Sequence, residues 1–325
     1  MDIKQKATLF ADNVRAFQKD FIWHGNPAKR LAALVYTVEG KTVDTEVIKA
    51  SHKLLKDNVG AFSTFRGNLA IYIASALSLA KEPSILLPEV LRVYDLLKAE
   101  GFWASDYLVA TAFEIAANTP PQDHVNMAQR TKTFYDEMKA NHRFRIGQGD
   151  YIFAAMLAMS QLDPHEGAVK MKRLFQRIKA EFSAFISRNS QLTLAQMMTL
   201  GGSTEDCVTN LAHLNRTLRQ QKIRLDKTYT LPSLGVLGLL NVNHHTIANE
   251  ITDMTNFLRA QKGFGYFSIT THELLMYVVA LIGSCHIEDD NITRASLTTS
   301  ITNLIIAQQV AIISGIAVAS ASSSC

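Results

Sequence analysis

Seven strongly apolar segments recur along the chain, and this repeat restricts the possible folds more than any other feature. Successive segments begin 38, 38, 44, 41, 39 and 43 residues apart. Their first residues are Leu31, Leu69, Tyr107, Tyr151, Leu192, Leu231 and Leu274. Segments such as "LAIYIASALSLA" and "YIFAAMLAM" are apolar around most of a helical circumference. They therefore predict inner helices that are buried on several sides.

A second class of segment lies between the apolar ones and has a narrower apolar stripe at helical spacing. One stripe consists of Met171, Phe175, Ile178 and Phe182. This pattern predicts an amphipathic outer helix with one face in water. Inner and outer helices then alternate at an interval close to that of HEAT and armadillo repeats, about 40–47 residues.

The repeat predicts an all-α fold of about six to seven helical hairpins, each of about 40 residues, stacked as an α-solenoid or an α/α ring. Because each hairpin buries its apolar face only against its neighbours, we expect one helical-repeat domain over residues 1–294. Within it we expect an N-terminal helix at about 3–22 and hairpins at about 28–284. Residues 295–325 carry no charge and predict an apolar C-terminal helix and a Ser-rich tail packed on the domain.

Composition places the chain among folded, cytoplasmic proteins. A hydrophobic share of 47% with 19% charged residues is typical of a globular protein. The first twenty residues are charged throughout and lack the apolar core of a secretion signal. The three cysteines, Cys207, Cys285 and Cys325, are too far apart for a disulfide framework or a common zinc spacing.

The apolar stretch at 304–321 raises the question of a membrane helix. Gln308 and Gln309 lie at its centre, and serines rather than Lys or Arg flank it. Both features argue against membrane insertion. Small residues allow helices to approach closely, so we expect this helix to seal the array or to join a second copy in a homo-oligomer.

Polar residues precede the inner helices and suggest helix starts. They are Asn68, Asp106, Asp150, Gln191, Thr230 and Glu273. Asp, Asn and Thr at such positions can accept hydrogen bonds from the first helical turn. The stretch "RIGQGDYIFAAML", residues 145–157, looks like a phosphate-binding loop, but no strand precedes it and no Lys-Ser or Lys-Thr follows it. We interpret Asp150 as one member of the capping series.

The ten histidines do not form a recognisable metal motif. "HELLM" at 272–276 lacks the second histidine of a zinc-protease helix, and His244 and His245 are adjacent. The "CHIEDDN" run at 285–291 lacks the spacing of a calcium loop and is interpreted as a solvated acidic linker. His52 occupies a position in an apolar stripe, which favours a buried, hydrogen-bonded histidine. We expect no metal and no cofactor.

Two sets of residues are candidates for binding. If the hairpins close into an α/α ring, the starts of the inner helices meet at one mouth, where a small molecule could bind or react. The residues expected there are Arg66, Asn68, Trp103, Asp106, His142, Arg143 and Asp150. Basic residues on two successive outer helices could instead form a strip that contacts a nucleic-acid backbone. They are Lys170, Arg173, Arg177, Arg216 and Arg219.

Several strings are specific enough to indicate a family. "FSTFRGNLAIYIASALSL", "AEGFWASDYLVATAF", "MKANHRFRIGQGDYIFAAMLAMS", "QKGFGYFSITTHELLMYVVALI" and "IIAQQVAIISGIAVASAS" span the chain in this order. With them the chain resembles the bacterial family named domain of unknown function 4003, from about Phe21 to its end. The resemblance implies a soluble, all-helical protein of uncharacterised activity, and it brings no catalytic or binding residues.

No complete catalytic constellation is present in the sequence. The repeat therefore favours a non-catalytic scaffold that binds a macromolecular partner, most plausibly another protein. An α/α ring enzyme or small-molecule binder is the first alternative, and nucleic-acid binding through the basic strip is the second.

Overall fold

The structure is a computed structural model that describes residues 1–141, 146–182, 186–228, 230–240, 242–289 and 310. Fourteen α-helices and three short 3₁₀ helices form the regular structure of these residues, which contain no strand. The all-α class is thus confirmed for this part of the chain. The helices are α1 (Ile3–Asp20), α2 (Asn26–Val38), α3 (Thr45–Asn58), α4 (Ala70–Leu79), α5 (Pro83–Ala99), α6 (Asp106–Asn118), α7 (His124–Asn141), α8 (Tyr151–Met159), α9 (Pro164–Glu181), α10 (Arg188–Leu200), α11 (Glu205–Gln220), α12 (Leu231–Leu237), α13 (His244–Arg259) and α14 (Thr271–Asp289).

Buried and amphipathic helices alternate from α2 onward. The even-numbered helices cover the seven apolar segments, and the odd-numbered helices from α3 to α13 cover the segments with a narrow stripe. In α8, every residue from Tyr151 to Ala158 is buried. In α3, burial is confined to Ile48, Ser51 and Leu55. The width of the apolar surface in the sequence therefore distinguishes the two classes of helix.

The end of α14 corrects one expectation. The helix continues to Asp289, so residues 285–289 of the "CHIEDDN" run are helical rather than a linker. Residues 290 and 291 lie outside the described residues, as does the expected C-terminal helix over 295–325 except for position 310.

Two compact units make up the chain. The first unit comprises Ala16–Glu166 with Ile306–Cys325, and the second comprises Met1–Arg15 with Gly167–Ile305. The expectation of one domain over 1–294 stays a prediction.

In the first unit, each outer helix packs on the inner helix that follows it. The pairs are α3 with α4, α5 with α6 and α7 with α8. Inner helix α2 also packs on α4, and α6 packs on α8. Among the described residues, the core of this unit contains one carboxyl group, that of Glu114 on α6, whose Oε1 accepts a hydrogen bond from Asn118 Nδ2 at 3.2 Å. Burial raises the pKa of Glu114 to about 8.

In the second unit, α10 packs on α12 and α12 packs on α14. The outer helices α11 and α13 also contact each other. The beginning of the chain belongs to this core, because the ring of Phe10 on α1 lies 5.6 Å from the ring of Phe264 and 5.4 Å from that of Tyr277. All three side chains are buried.

Helix starts differ in part from the capping series expected from the sequence. Gln191 and Glu273 lie inside α10 and α14. Ser187 caps α10, and Thr270 Oγ1 accepts a hydrogen bond from the Glu273 N–H at 3.2 Å. Thr230 precedes α12, but its hydroxyl donates to the carbonyl of Arg224 instead. The polar residue nearest an apolar run is therefore not always its cap, because a helix can begin within the preceding polar residues.

The ends of three outer helices suggest a stabilising substitution. After α5 and α13 the chain turns through Gly101 and Gly263, both at φ +91°, but after α11 the left-handed position is Lys222, at φ +64°. A side chain costs about 1 kcal/mol in this conformation. We expect Lys222→Gly to raise the free energy of unfolding by about 0.5–1 kcal/mol in urea denaturation. Lys222→Ala keeps the Cβ atom, so an equal gain from it would contradict this explanation.

Candidate functional site

The loops that lead into the inner helices of the first unit form the candidate functional surface. They comprise residues 21–25, 59–69, 100–105 and 146–150, and we call them the loop edge. Two of these loops are each connected to the start of the following inner helix. Asn68 Nδ2 donates to Asp106 Oδ2 at 3.1 Å, and the N–H of Trp103 donates to the Tyr151 hydroxyl at 3.4 Å.

Three of these loops each contain one buried aromatic ring that holds the loop in place. Phe21 packs on Phe17 with ring centroids 5.3 Å apart. Phe65 packs on Tyr94 at 5.0 Å, and Phe102 packs on Tyr151 at 4.8 Å. The buried rings fix the loops through ordinary core packing.

Each of the same three loops also presents an aromatic ring to solvent. Trp23 is 90% exposed, Trp103 is 74% exposed and Phe62 is fully exposed. The second unit has a comparable loop before α14, in which Phe264 is buried and Tyr266 and Phe267 are exposed. Among the described residues, these five are the largely exposed aromatic side chains. In the sequence, an aromatic residue follows several of the outer helices, but the sequence does not show that a second ring remains in water.

The structure brings Asp106 and Asn68 together, since they occupy equivalent positions in neighbouring repeats. Asp106 does not cap α6, however, because the Ser105 hydroxyl accepts from the Leu108 N–H at 3.3 Å and takes that role. Burial raises the pKa of the Asp106 carboxyl, and the hydrogen bond from Asn68 opposes this shift. Gly67 lies against the carboxylate: a Cβ atom added there would be 2.7 Å from Asp106 Oδ1 and 2.9 Å from the carbonyl oxygen of Thr64.

The Arg66 side chain is directed toward the C-terminal end of α3. Its Nη2 donates to the carbonyl oxygens of Lys56, at 2.6 Å, and of Val59, at 3.0 Å. These carbonyls belong to the C-terminal end of α3, where a cation stabilises the free acceptors. The expectation that Arg66 joins the acid group of the mouth is therefore wrong for the side chain, although the residue lies on the loop edge.

Asp150 closes its own turn. Its Oδ2 accepts from the Gly147 N–H at 2.8 Å, and the carboxylate makes no side-chain cap on α8. Asp150 thus lies at the start of α8 as the sequence predicted, but its carboxylate caps the turn before the helix and not α8 itself. Asp150 and Asp106 both act on Tyr107, whose pKa is raised by burial first and by the two carboxylates second. His142 and Arg143 lie outside the described residues.

Basic side chains gather where the loop 21–25 meets α3. The rings of His24 and His52 are in edge contact, with centroids 5.3 Å apart. Both are half-buried, so the expected core position of His52 is only partly correct. Burial lowers the pKa of His52 to about 4, with further lowering by Lys56, His24 and Arg66. The pKa of His24 is lowered by burial and then by Lys56 and Lys29.

The basic residues proposed for nucleic-acid binding lie on the neighbouring outer helices α9 and α11 of the second unit. Arg177 Nη2 donates to Thr209 Oγ1 at 3.0 Å and thereby links the two helices. Arg177 also pairs with Glu181 at 2.9 Å, and Arg219 lies 3.6 Å from Asp226. These acids reduce the positive charge of the strip. Binding through Lys170, Arg173, Arg177, Arg216 and Arg219 stays a prediction.

Metal-ligating side chains do not cluster in the part of the chain that the structure describes. No group of three or more His, Cys, Asp or Glu residues there could hold a metal ion. Cys207 is half-buried and Cys285 is buried, and the two are not joined in a disulfide. Within the same residues, no helix combines the length and apolar character needed to cross a membrane.

Comparison with known proteins places the chain in a family. A family model described as "Protein of unknown function (DUF4003)" matches residues 13–310. No curated protein and no solved structure matches the chain significantly. The match spans nearly the whole sequence and confirms the resemblance indicated by the quoted strings. The chain therefore belongs to the DUF4003 family of proteins of unknown function.

Proposed function

We propose that this protein is a non-catalytic helical-repeat scaffold, built as a stack of hairpins, whose loop edge binds another protein. The single observation that carries the proposal is the pairing of a buried and an exposed aromatic ring in three successive repeat loops. A loop held by one ring presents the other on a rigid support. Such rings are the side chains that dominate the energetics of protein interfaces.

The energetic argument concerns Trp23, Phe62 and Trp103. Leaving a large apolar side chain in water forgoes about 1.5–3 kcal/mol that burial would supply. Three such side chains on successive loops forgo this free energy together, and docking of a partner would recover it. Scattered exposed apolar residues are common and require no explanation, but the three rings lie in corresponding loops of three successive repeats.

Charge indicates the chemistry of the partner. Lys56 and Lys98 lie in the last turns of α3 and α5, next to the loops that carry Phe62 and Trp103. Arg66 lies in the first of these loops. A protein segment that combines apolar side chains with acidic ones would complement this surface.

The proposal predicts that truncating the exposed rings abolishes partner capture. In quantitative affinity capture from the native cytoplasm, we expect the combined variant Trp23→Ala, Phe62→Ala, Trp103→Ala to lose at least about tenfold of a specific partner, since each interface anchor contributes about 1 kcal/mol or more. Overlapping peptides from that partner should then show binding by an acidic, apolar segment.

The matched control is the double variant Ile85→Ala, Val125→Ala. Both residues are exposed and apolar, at 59% and 47%, but lie on helices away from the loop edge. Capture that is equal for the wild type and the triple variant would refute the proposal, as would an equal loss in the control. Circular dichroism and urea unfolding establish that the variants are folded.

A small-molecule site is the second candidate, and the surroundings of Tyr107 favour it. Asp106 and Asp150 act on this phenol from two loops, and Asn68 holds Asp106. Half-buried acids beside a phenol and an amide can bind polar hydroxyl-bearing ligands. Under this alternative, Asp106→Asn would weaken ligand binding, while the double variant Trp23→Ala, Phe62→Ala would leave it unchanged.

A further inference from the structure

The basic cluster at the loop edge has a specific geometry. His24 and His52 contact each other edge to face at 5.3 Å. His52 and Lys56 lie one turn apart on α3. Arg66 is held at the end of the same helix by its 2.6 Å hydrogen bond to the Lys56 carbonyl. Four basic side chains from two loops and one helix thus meet at one place.

The neighbouring carboxylate side chains interact with lysines outside this cluster. Asp57 pairs with Lys53 at 2.7 Å, and Asp20 acts on Lys49. Glu46 also pairs with Lys49, at 2.7 Å. The charges that act on the two imidazoles are all positive and come from Lys29, Lys56 and Arg66. Like charges so placed destabilise one another unless an anion lies among them.

We propose that His24, His52, Lys56 and Arg66 form a binding site for a tetrahedral oxyanion, the phosphoryl group. Lys56 supplies a mobile ammonium group, and the two imidazoles supply N–H donors at short range. Arg66 supplies a fixed positive charge, since its donors already hold the α3 carbonyls.

The inference rests on the proposed function for its setting, because a phosphorylated segment of the bound partner would bring the group to the loop edge. Free phosphate would present the same chemistry. The site is distinct from the aromatic anchors, so either proposal can fail while the other holds.

The test is nuclear magnetic resonance of the histidine C2–H groups in the full chain, titrated with inorganic phosphate or with a phosphoserine peptide at constant ionic strength. We expect the signals of His24 and His52 to shift on binding. A second titration, of pH in the presence and absence of sulfate, should show both pKa values raised by the anion, because a bound anion favours the imidazolium form. Sulfate is used there because its own charge is constant in this range.

Two variants distinguish a defined phosphate site from non-specific electrostatic attraction. Lys56→Gln is expected to weaken phosphate binding at least about fivefold, the loss of one charge-assisted hydrogen bond. Lys53→Gln is the control. The Lys53 side chain is exposed on the same helix, but it pairs with Asp57. Tighter binding of the peptide than of phosphate would identify a phosphorylated segment as the ligand, and equal binding would identify free phosphate.

Two results would overturn the inference. One is the absence of any shift in the His24 and His52 signals with either ligand. The other is an equal loss of affinity in Lys53→Gln and Lys56→Gln, which would indicate non-specific attraction only. Partner capture that fails while phosphate binding persists would count against the proposed function alone.

Discussion

Replacing Glu114 by Gln is expected to remove a large pH dependence from the stability of this protein. The carboxyl is fully buried and its pKa is raised from the usual 4.5 to about 8 by burial. The folded state therefore keeps a proton that the unfolded state releases above pH 4.5. The contribution of this carboxyl to the free energy of unfolding is fully present below pH 4.5. It falls as the pH rises toward 8 and is lost above that value.

The magnitude follows from the size of the shift, since each unit of pKa corresponds to 1.36 kcal/mol. Over this window we expect the difference in the free energy of unfolding between Glu114→Gln and the wild type to grow by about 3–5 kcal/mol in favour of the variant. Urea denaturation at a series of pH values measures this difference directly. Taking the difference cancels the contributions of other groups, such as His24 and His52, whose lowered pKa values act in the opposite direction.

The control for this experiment is Glu82→Gln. Glu82 is exposed and makes no side-chain cap on α5, so its variant should follow the wild type at every pH. If the stability of Glu114→Gln ran parallel to that of the wild type between pH 4.5 and 8, Glu114 would have to be ionised in the folded protein. Its Asn118 partner would then be insufficient to explain how the charge is tolerated.

Gly67→Ala is expected to destabilise the first unit by about 2 kcal/mol and to separate Asn68 from Asp106. The φ angle of Gly67 is −77°, which alanine can adopt, so the cost is steric. The added methyl group would be 2.9 Å from a backbone carbonyl, which cannot move aside as a flexible side chain would. Urea unfolding measures the loss of stability.

Gly60→Ala provides the comparison, because nothing lies within 4 Å of a Cβ atom at that position in the same loop. Its effect should stay within about 0.5 kcal/mol. Equal stabilities of the two variants would show that the loop relaxes freely around residue 67. The Asp106 carboxyl would then be less firmly placed than its contacts indicate.

The sequence was informative where the apolar surface of a helix decides its position. The seven inner helices include the segments predicted from Leu31 to Leu274, because helices that are apolar on all sides must be buried. It was less informative at helix starts. Ser105, and not Asp106, caps α6, since both residue types favour the same position and only backbone geometry selects between them.

The candidate site was predicted in part for a related reason. Asn68 and Asp106 lie in equivalent positions of neighbouring repeats, so the period alone brought them together. The direction of the Arg66 side chain and the exposure of Trp23 and Phe62 depend on which ring in each loop finds a place in the core. The sequence contains two aromatic residues in such loops but no signal that ranks them.

The position of Phe10 has a consequence for synthesis of the chain. Its ring belongs to the same core as Phe264 and Tyr277. During translation Phe10 is made more than 250 residues before Phe264 and Tyr277. Until then the apolar face of α1 has no partner from this core. The second unit thus completes its core only after α14 has been made, and this long-range closure is the kind of step that is slow and open to aggregation or chaperone binding.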